Sequence, residues 1–489
     1  MTAHEIYETQ RRAWLRAPYP RAEHRIDSIR RLRDWVRSHG EEIHEALAAD
    51  LGKPVPETDL TEILVVLTEA RHAMRRLRRW MRPQRVGTPL ALLGTRSRVV
   101  VEPKGVVLII SPWNFPFNLA IMPLISALAA GNRCVMKPSE LSPQTSALVA
   151  RMASELFSPE DVAVLEGYAR EAKALLAEPF DHIFFTGSTR IGRLVMEAAS
   201  AHMTSVTLEL GGKTPAVVDR SADLRTAAER IVWTKFVNAG QTCIAPDYVL
   251  VDRELEERFV AEAVSAIKRL YPDATTGRHA GQYARIVTAR HAARIRQLIA
   301  EAVEKGATVV APHDGTDALP PREGADGGAA PTGGSAPKGE DRVLPPVILR
   351  DVDPDTTVMR EEIFGPVLPV ITVDDRDEAL AFVRERPRPL AFYMFAEDRR
   401  AAAAARTEVS AGGVCLNDGL LHFMNPQLPF GGVGHSGTGK SHGRYGFLEF
   451  SNRKPVLTQR RRLTTSRLVY PPYTEAVRRR IRWMLKLLG

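Results

Sequence analysis

The sequence predicts an α/β protein built from more than one domain, and three observations carry that prediction. The chain has 489 residues, too many for a single small core, so two or three domains are expected. From residue 105 onward, short apolar runs alternate with helical runs, and a second alternation of the same kind begins at Ala216. Strand–helix alternation at this spacing implies right-handed crossovers and a mostly parallel sheet. That is a nucleotide-binding type of architecture.

Residues 20–80 read as helical. Ile26, Ile29, Leu32, Trp35 and Val36 recur at helical spacing, as do the apolar residues from Leu60 to Trp80, and Asp50-Leu51-Gly52-Lys53-Pro54 separates the two runs. Gly105-Val106-Val107-Leu108-Ile109-Ile110 fits a strand buried on both faces. Leu119–Ala130 reads as helix, 133–136 as strand, Gln144–Phe157 as helix, 162–165 as strand and 171–177 as helix. His182-Ile183-Phe184-Phe185 reads as strand, Ile191–Ala201 as helix and 205–208 as a closing strand. The second region reads as strand 216–218, helix Ala222–Val237, strand Tyr248–Val251, and helices Glu254–Leu270 and Ala289–Lys305. Residues 312–343 are rich in Gly, Pro and Asp and nearly free of large apolar side chains. They are expected to form a mobile insertion, either a lid or a tolerated surface loop.

Hydrophobic content of 44% and charged content of 26% are those of an ordinary globular protein. The net charge of +9 comes from scattered arginines, with compact basic clusters only at the chain ends. No nucleic-acid module accompanies it, so no nucleic-acid partner is expected. Met1–Gln10 lacks the apolar core of a signal peptide. The apolar stretch Val106–Ala130 is broken by prolines and asparagines that a spanning helix would not favour. A cytoplasmic protein with reduced thiols is therefore expected. Residues 456–489 form a basic tail in which Val477, Ile481, Met484, Leu485 and Leu488 share one helical face. Such a helix can lie on an anionic membrane surface or pack on its own subunit or a partner.

Three cysteines, Cys134, Cys243 and Cys415, do not suggest a disulfide framework. Cys243 follows Asn238-Ala239-Gly240-Gln241-Thr242, after a long helical run and before a strand-like one. It is placed like a nucleophile, although a lone cysteine also reads as a small buried hydrophobe.

Seven motifs, taken together and in order, resemble the aldehyde dehydrogenase superfamily from about residue 20 to 455. They are Ser111-Pro112-Trp113-Asn114-Phe115-Pro116, Lys137-Pro138-Ser139-Glu140, Phe185-Thr186-Gly187-Ser188, Leu208-Glu209-Leu210-Gly211-Gly212-Lys213, Asn238-Ala239-Gly240-Gln241-Thr242-Cys243, Glu362-Ile363-Phe364-Gly365-Pro366 and Pro429-Phe430-Gly431-Gly432-Val433-Gly434. The short N-terminus and His442-Gly443 are similar to the class 3 branch, which includes fatty, aromatic and coniferyl aldehyde dehydrogenases. The resemblance implies a Rossmann-like NAD(P)-binding domain (1–81 and 101–209) and a catalytic α/β domain (210–424). It also implies an oligomerisation extension (82–100 and 425–455) that supports a homodimer.

It further implies that Cys243 attacks an aldehyde as thiolate, in a site that favours the anion. The oxyanion would be held by the Asn114 side-chain amide and the Cys243 backbone N–H. Hydride would pass to a nicotinamide, and Glu209 would activate the water that hydrolyses the resulting thioester. A glutamate at 209 argues for water as acceptor; relatives that pass the acyl group to coenzyme A generally lack it. Lys137 and Glu140 match positions that bond the adenosine ribose. Glu140 favours NAD, and Lys137 leaves NADP open. Trp113, Gly187 and Ser188 complete the cofactor set, with Glu362 at the nicotinamide ribose and Phe364 beside the ring; no metal is invoked. Trp113, Leu421, His422 and Phe423 are expected along the substrate passage. The substrate class is an aliphatic or aromatic aldehyde. The rival readings are an acyl-transferring or reductive relative, and a non-catalytic binding protein on the same fold.

Overall fold

A computed structural model describes residues 1–89, 92–272, 274, 282–310, 342–460 and 465–488. The expected insertion therefore lies outside the described residues except for 342–343, as do Arg461 and Arg462 of the basic tail.

Three sheets organise the described residues. The first has six strands in the order Gly437–Thr438, Ser205–Glu209, His182–Thr186, Val106–Ile110, Arg133–Lys137, Val162–Val164. All neighbours are parallel except the short Gly437–Thr438 strand, which pairs antiparallel with Ser205–Glu209. The central Val106–Ile110 strand is buried along its whole length, as a strand covered on both faces must be. Helix Asn118–Ala130 is buried on nearly every side and packs with helices Ala22–Ser38 and Leu64–Trp80 against one face. The other face carries helix Thr189–Ser200. It is also covered by helix Ala3–Arg16, which the sequence reading did not anticipate. Tyr7 of that helix packs edge-on against Phe180, with ring centroids 5.3 Å apart. Its Gln10, fully buried, donates to the Cys134 carbonyl at 2.9 Å.

The second sheet has seven strands in the order Thr308–Val310, Val347–Arg350, Val367–Val373, Tyr248–Asp252, Pro215–Val218, Ala391–Phe395, Gly413–Leu416. Only its first pair is antiparallel. It holds its own core around Phe236, Phe259, Phe392 and Tyr393.

The third sheet is antiparallel, with Thr95–Pro103 between Gln84–Val86 and Ser451–Gln459. The 425–455 stretch assigned to the extension therefore divides. Residues 451–455 enter this sheet. Gly437–Thr438 returns to the six-stranded sheet, and helix Gly443–Glu449 packs on helices Leu64–Trp80 and Asn118–Ala130.

One buried carboxylate joins the helical layer to the first sheet's surroundings. Asp50, at the end of helix Gly40–Leu51, accepts from the backbone N–H groups of Gln144 (3.1 Å) and Thr145 (2.8 Å) and from the Thr145 hydroxyl (2.8 Å). It thereby caps helix Pro143–Leu156 from another helix. Asp50→Ala is expected to cost about 2 kcal/mol, since it strands buried donors. A clear drop in the urea midpoint checks this, and an unchanged midpoint would contradict it.

Candidate active site

Parallel doubly wound sheets gather ligands at the carboxyl ends of their strands, where the strand order reverses. Here the reversal lies between Val106–Ile110 and His182–Thr186. The first strand leads into Trp113 and Asn114, and the second into Gly187 and Ser188. The strands beside them end at Lys137 and Glu209. Six of the residues singled out from sequence thus sit at one rim of one sheet.

Cys243 comes to this rim from the seven-stranded sheet's side, on the turn between helix Leu224–Phe236 and strand Tyr248–Asp252. The turn is unusual. Asn238, Ala239 and Gly240 run consecutively at φ +54°, +52° and +75°. Left-handed conformations at non-glycine residues persist only where the surroundings hold them. At Gly240 an added Cβ would meet the Gly365 carbonyl oxygen at 2.3 Å, so the backbones pack too closely for any side chain. The Asn238 N–H donates to Glu57 Oε1 at 2.9 Å. The Asn238 side chain donates to the Asn114 carbonyl at 2.8 Å and the Gln241 carbonyl at 3.2 Å. Gln241 Nε2 donates to the Asn238 carbonyl (3.0 Å) and the Arg285 carbonyl (3.1 Å), and its Oε1 accepts from the Val287 N–H (2.9 Å).

Asn114 closes the network. Its Nδ2 donates to the Gln241 carbonyl at 3.0 Å. A primary amide has two N–H groups. One of them is engaged by the Gln241 carbonyl, which fixes the orientation of the amide. Behind Asn114 lies a fully buried ion pair, Lys53 Nζ to Glu62 Oε1 at 2.6 Å. Glu62 Oε2 accepts from the Asn118 N–H at 2.7 Å. Glu62 belongs to a turn of π-helix, Asp59–Ile63, which brings Leu60 and Thr61 to the cleft. Such turns are frequent at functional sites.

The Cys243 thiol corrects one expectation. The site was expected to favour the thiolate, but burial pushes the thiol up, and the carboxylates of Glu362 and Glu209 add to the shift. The backbone amides of Cys243 and Ile244 act in the opposite direction. Burial, the largest of these effects, therefore favours the thiol over the thiolate.

Glu209 is the last residue of its strand and is buried. Burial raises its pKa to about 8, against a smaller lowering by the Ser441 hydrogen bond and Lys440. Ser441 Oγ donates to Glu209 Oε1 at 3.0 Å, while Oε2 is enclosed without a partner among the described residues. Register pairing of Gly437 with Glu209 fixes the glycine-rich return against the strand exit.

The residues expected to hold a dinucleotide fit one. Lys137 Nζ and Glu140 Oε2 pair at 2.7 Å at the exit of their strand. Ser188 caps helix Thr189–Ser200 by accepting from the Ile191 N–H at 3.4 Å, and the Gly187 N–H donates to the Glu209 carbonyl at 3.0 Å. Gly187 and Ser188 thus shape the helix start, and the first-turn amides of Thr189 and Arg190 are the donors left for a phosphate. A Cβ on Gly211 would stand 2.2 Å from Glu362 Oε2, so this glycine is what admits the Glu362 carboxylate to the strand exit. Burial raises Glu362 to about 8. Phe364, at φ +51°, meets Trp113 edge-on at 5.3 Å. Its segment is held by Asp247, which accepts from the Ile363 N–H at 3.2 Å and pairs with Lys213.

A cleft of about 100 Å³ opens beside Cys243 and Glu209. Leu119, Met122, Trp233, Phe423, Met424 and Phe430 give it an apolar wall. Of the four residues expected along the substrate passage, Phe423 lines it, whereas Trp113, Leu421 and His422 do not. Trp113 is turned to Phe364 and His291, Leu421 is exposed, and His422 packs between Tyr393 and Phe430. Sequence reasoning missed Ser441, Glu57 and the Lys53–Glu62 pair. The only signal for the pair was the Gly52-Lys53-Pro54 break, which reads as a helix stop.

Comparison with known proteins gives this rim its context. The model of the aldehyde dehydrogenase family matches residues 3–456. The chain is 40% identical over 475 residues to a probable coniferyl aldehyde dehydrogenase of Pseudomonas aeruginosa, covering 97% of this chain and 94% of that one. It is 39% identical over 454 residues to aldehyde dehydrogenase family 3 member B1 of Rattus norvegicus, covering 93% and 91%. The solved substrate-bound state of Staphylococcus aureus AldH superposes with a TM-score of 0.88 at 36% identity, covering 98% and 99% of the two chains. The chain belongs to the aldehyde dehydrogenase family, in its class 3-like branch, and is an NAD(P)-dependent enzyme that oxidises aldehydes.

Proposed function

We propose that this enzyme converts a hydrophobic aldehyde, aliphatic or aromatic of the coniferyl type, to the free carboxylic acid through Cys243, Glu209 and Asn114. The observation that carries this reading is the apolar cleft with Cys243 and a proton-accepting Glu209 on its wall. Apolar walls favour aldehydes with large apolar bodies, at roughly 25 cal/mol per Å² buried. The coniferyl aldehyde relative is consistent with the aromatic case.

The Cys243 sulfur bonds to the carbonyl carbon, and the thiol proton leaves to a base in the cleft. The oxygen becomes an alkoxide between the Asn114 amide and the Cys243 N–H. The nicotinamide cofactor, when bound in its oxidised form, would supply the hydride acceptor that turns this adduct into a thioester. Glu362, Phe364, Trp113, Lys137 and Glu140 would hold that cofactor, with Gly187 and Ser188 shaping the phosphate turn. The resulting thioester is then hydrolysed. A water gives its proton to Glu209 and its oxygen bonds to the acyl carbon. The C–S bond breaks, and the acid leaves with the sulfur regenerated.

Two further features belong to this reading. The strand Ser451–Gln459 is exposed along nearly all of its length and edges the small antiparallel sheet. Strand edges of this kind invite pairing with a second chain, so the enzyme works as a homodimer through this extension. Among the described residues no helix is long and apolar enough to cross a membrane. Helix Glu475–Leu488 presents exposed Trp483 and Leu485 beside Arg478, Arg479, Arg480 and Arg482. That pattern suits peripheral contact with an anionic membrane surface, with the rest of the enzyme in the cytoplasm.

Five outcomes are expected. Cys243→Ala abolishes nicotinamide reduction with every aldehyde, while Glu209→Gln loses about 10²–10⁴-fold in turnover yet retains a first-turnover burst. Glu209 accepts a proton only when ionised, so acyl-enzyme hydrolysis should rise with pH through about 8; equal activity of either variant and the parent would overturn the mechanism. Val456→Lys with Leu457→Lys, at exposed positions of the edge strand, should turn a dimer into a monomer by light scattering. Deleting residues 471–489 should remove binding to phosphatidylserine vesicles at low salt, and retained binding would exclude the tail.

A further inference from the structure

Ser441 Oγ stands 3.0 Å from Glu209 Oε1 and 3.2 Å from the Phe430 carbonyl oxygen. A hydroxyl has one proton, so it donates to one of these acceptors at a time. The Ser441 N–H donates to the same Phe430 carbonyl at 2.6 Å, which fixes the serine backbone whichever way the hydroxyl turns. Among the described residues Glu209 Oε2 has no hydrogen-bond partner, so it is the oxygen left to receive a proton from water. While Glu209 is ionised, the Ser441 hydroxyl anchors Oε1. Once Oε2 takes the proton, Oε1 becomes a weaker acceptor, and the hydroxyl has the Phe430 carbonyl within reach. Neither state strands a buried donor, which would otherwise be costly.

We propose that Ser441 is a positioning residue for the general base: it aims Glu209 and supports its ionised form, then turns to Phe430 when the proton arrives. This rests on the reading of Glu209 as the base.

Other charged groups near Glu209 do not supply that anchor. Lys440 Nζ donates to the carbonyls of Gly412, Gly431 and Gly432. Glu449, on helix Gly443–Glu449, accepts from the Thr207 hydroxyl at 2.8 Å and raises Glu209 by repulsion. Across the cleft the Cys243 thiol is itself held protonated. His442, next along the chain, is driven by burial to about 3 and stays neutral at working pH. On the neighbouring strand Glu209 is paired with Thr186, which does not titrate.

The test is the pH profile of acyl-enzyme hydrolysis, followed after the first-turnover burst of nicotinamide reduction. Ser441→Ala should move the acid limb up by about one pH unit, a loss of about tenfold near pH 7 that closes at high pH. Ser441→Thr, which keeps the hydroxyl, should return the limb to its parental position. Ser441→Cys, a poorer donor of similar size, should shift it as alanine does. An unmoved limb, a loss equal at all pH values, or no rescue by threonine would overturn the proposal. The burst separates this from the broader reading: absence of a Cys243-dependent burst in the parent enzyme defeats the mechanism itself, whereas a normal burst with an unshifted limb defeats only the role of Ser441.

Discussion

The structure depends on one junction, where Asn114 and the Asn238–Gln241 turn bond to each other between the two large sheets. Asn114 follows a strand of the six-stranded sheet, and Cys243 precedes a strand of the seven-stranded one. Their relative position is set by short bonds between Asn114, Asn238 and Gln241. Three consecutive left-handed residues make the turn an unfavourable conformation in isolation. Glu57, Arg285 and Val287 supply the partners that over-determine it. A loop free to relax would move Cys243 by an ångström or more, and displacements of that size cost rate steeply. The conformational cost of the turn and the placement of the sulfur are therefore one feature.

Electrostatics at the rim follow from the same burial. Glu209 and Glu362 are both driven to about 8, and both raise the thiol between them. Desolvation disfavours every charged form. It raises Glu209 toward the pH range in which a carboxylate exchanges protons near neutrality, and it favours the thiol form of Cys243. In the proposed mechanism the amides of Asn114 and of the Cys243 backbone would act on the charge that appears after attack, which a thiol at rest does not carry.

Much of this was legible in the sequence, for identifiable reasons. Val106–Ile110 is a continuous apolar run because both of its faces are covered, so its burial could be read directly. The turn around Cys243 was legible as a motif, since small and polar residues between a helix and a strand announce a loop with a purpose. The N-terminal helix was not, because its stabilising contacts are made far along the chain: Gln10 reads as surface yet is fully buried against the Cys134 carbonyl. The Lys53–Glu62 pair was hidden in the same way. A lysine beside a proline looks like a helix stop until the fold closes a glutamate over it. Trp113 and His422 look like pocket aromatics, but a ring's direction is a tertiary property that spacing does not encode. Ser441 carries no local signal at all, because its meaning lies in a glutamate 232 residues away.

That last case shows how the glycine-rich return bears on the chemistry. Glycines at 437 and 439 adopt φ +142° and +84°, and a Cβ at either would meet neighbouring atoms at 2.1 or 2.6 Å. The chain can therefore lie flat against the Glu209 strand, close enough for Gly437 to pair with Glu209 in register. Only at that distance can the short side chain of Ser441 touch the carboxylate. A longer polar residue could reach from a looser loop, but it would bring rotamers to be frozen and more volume into the apolar cleft. Close backbone approach combined with a small hydroxyl holds one carboxylate oxygen firmly and leaves its twin without a partner among the described residues, which is the arrangement the proposed base role requires of Glu209.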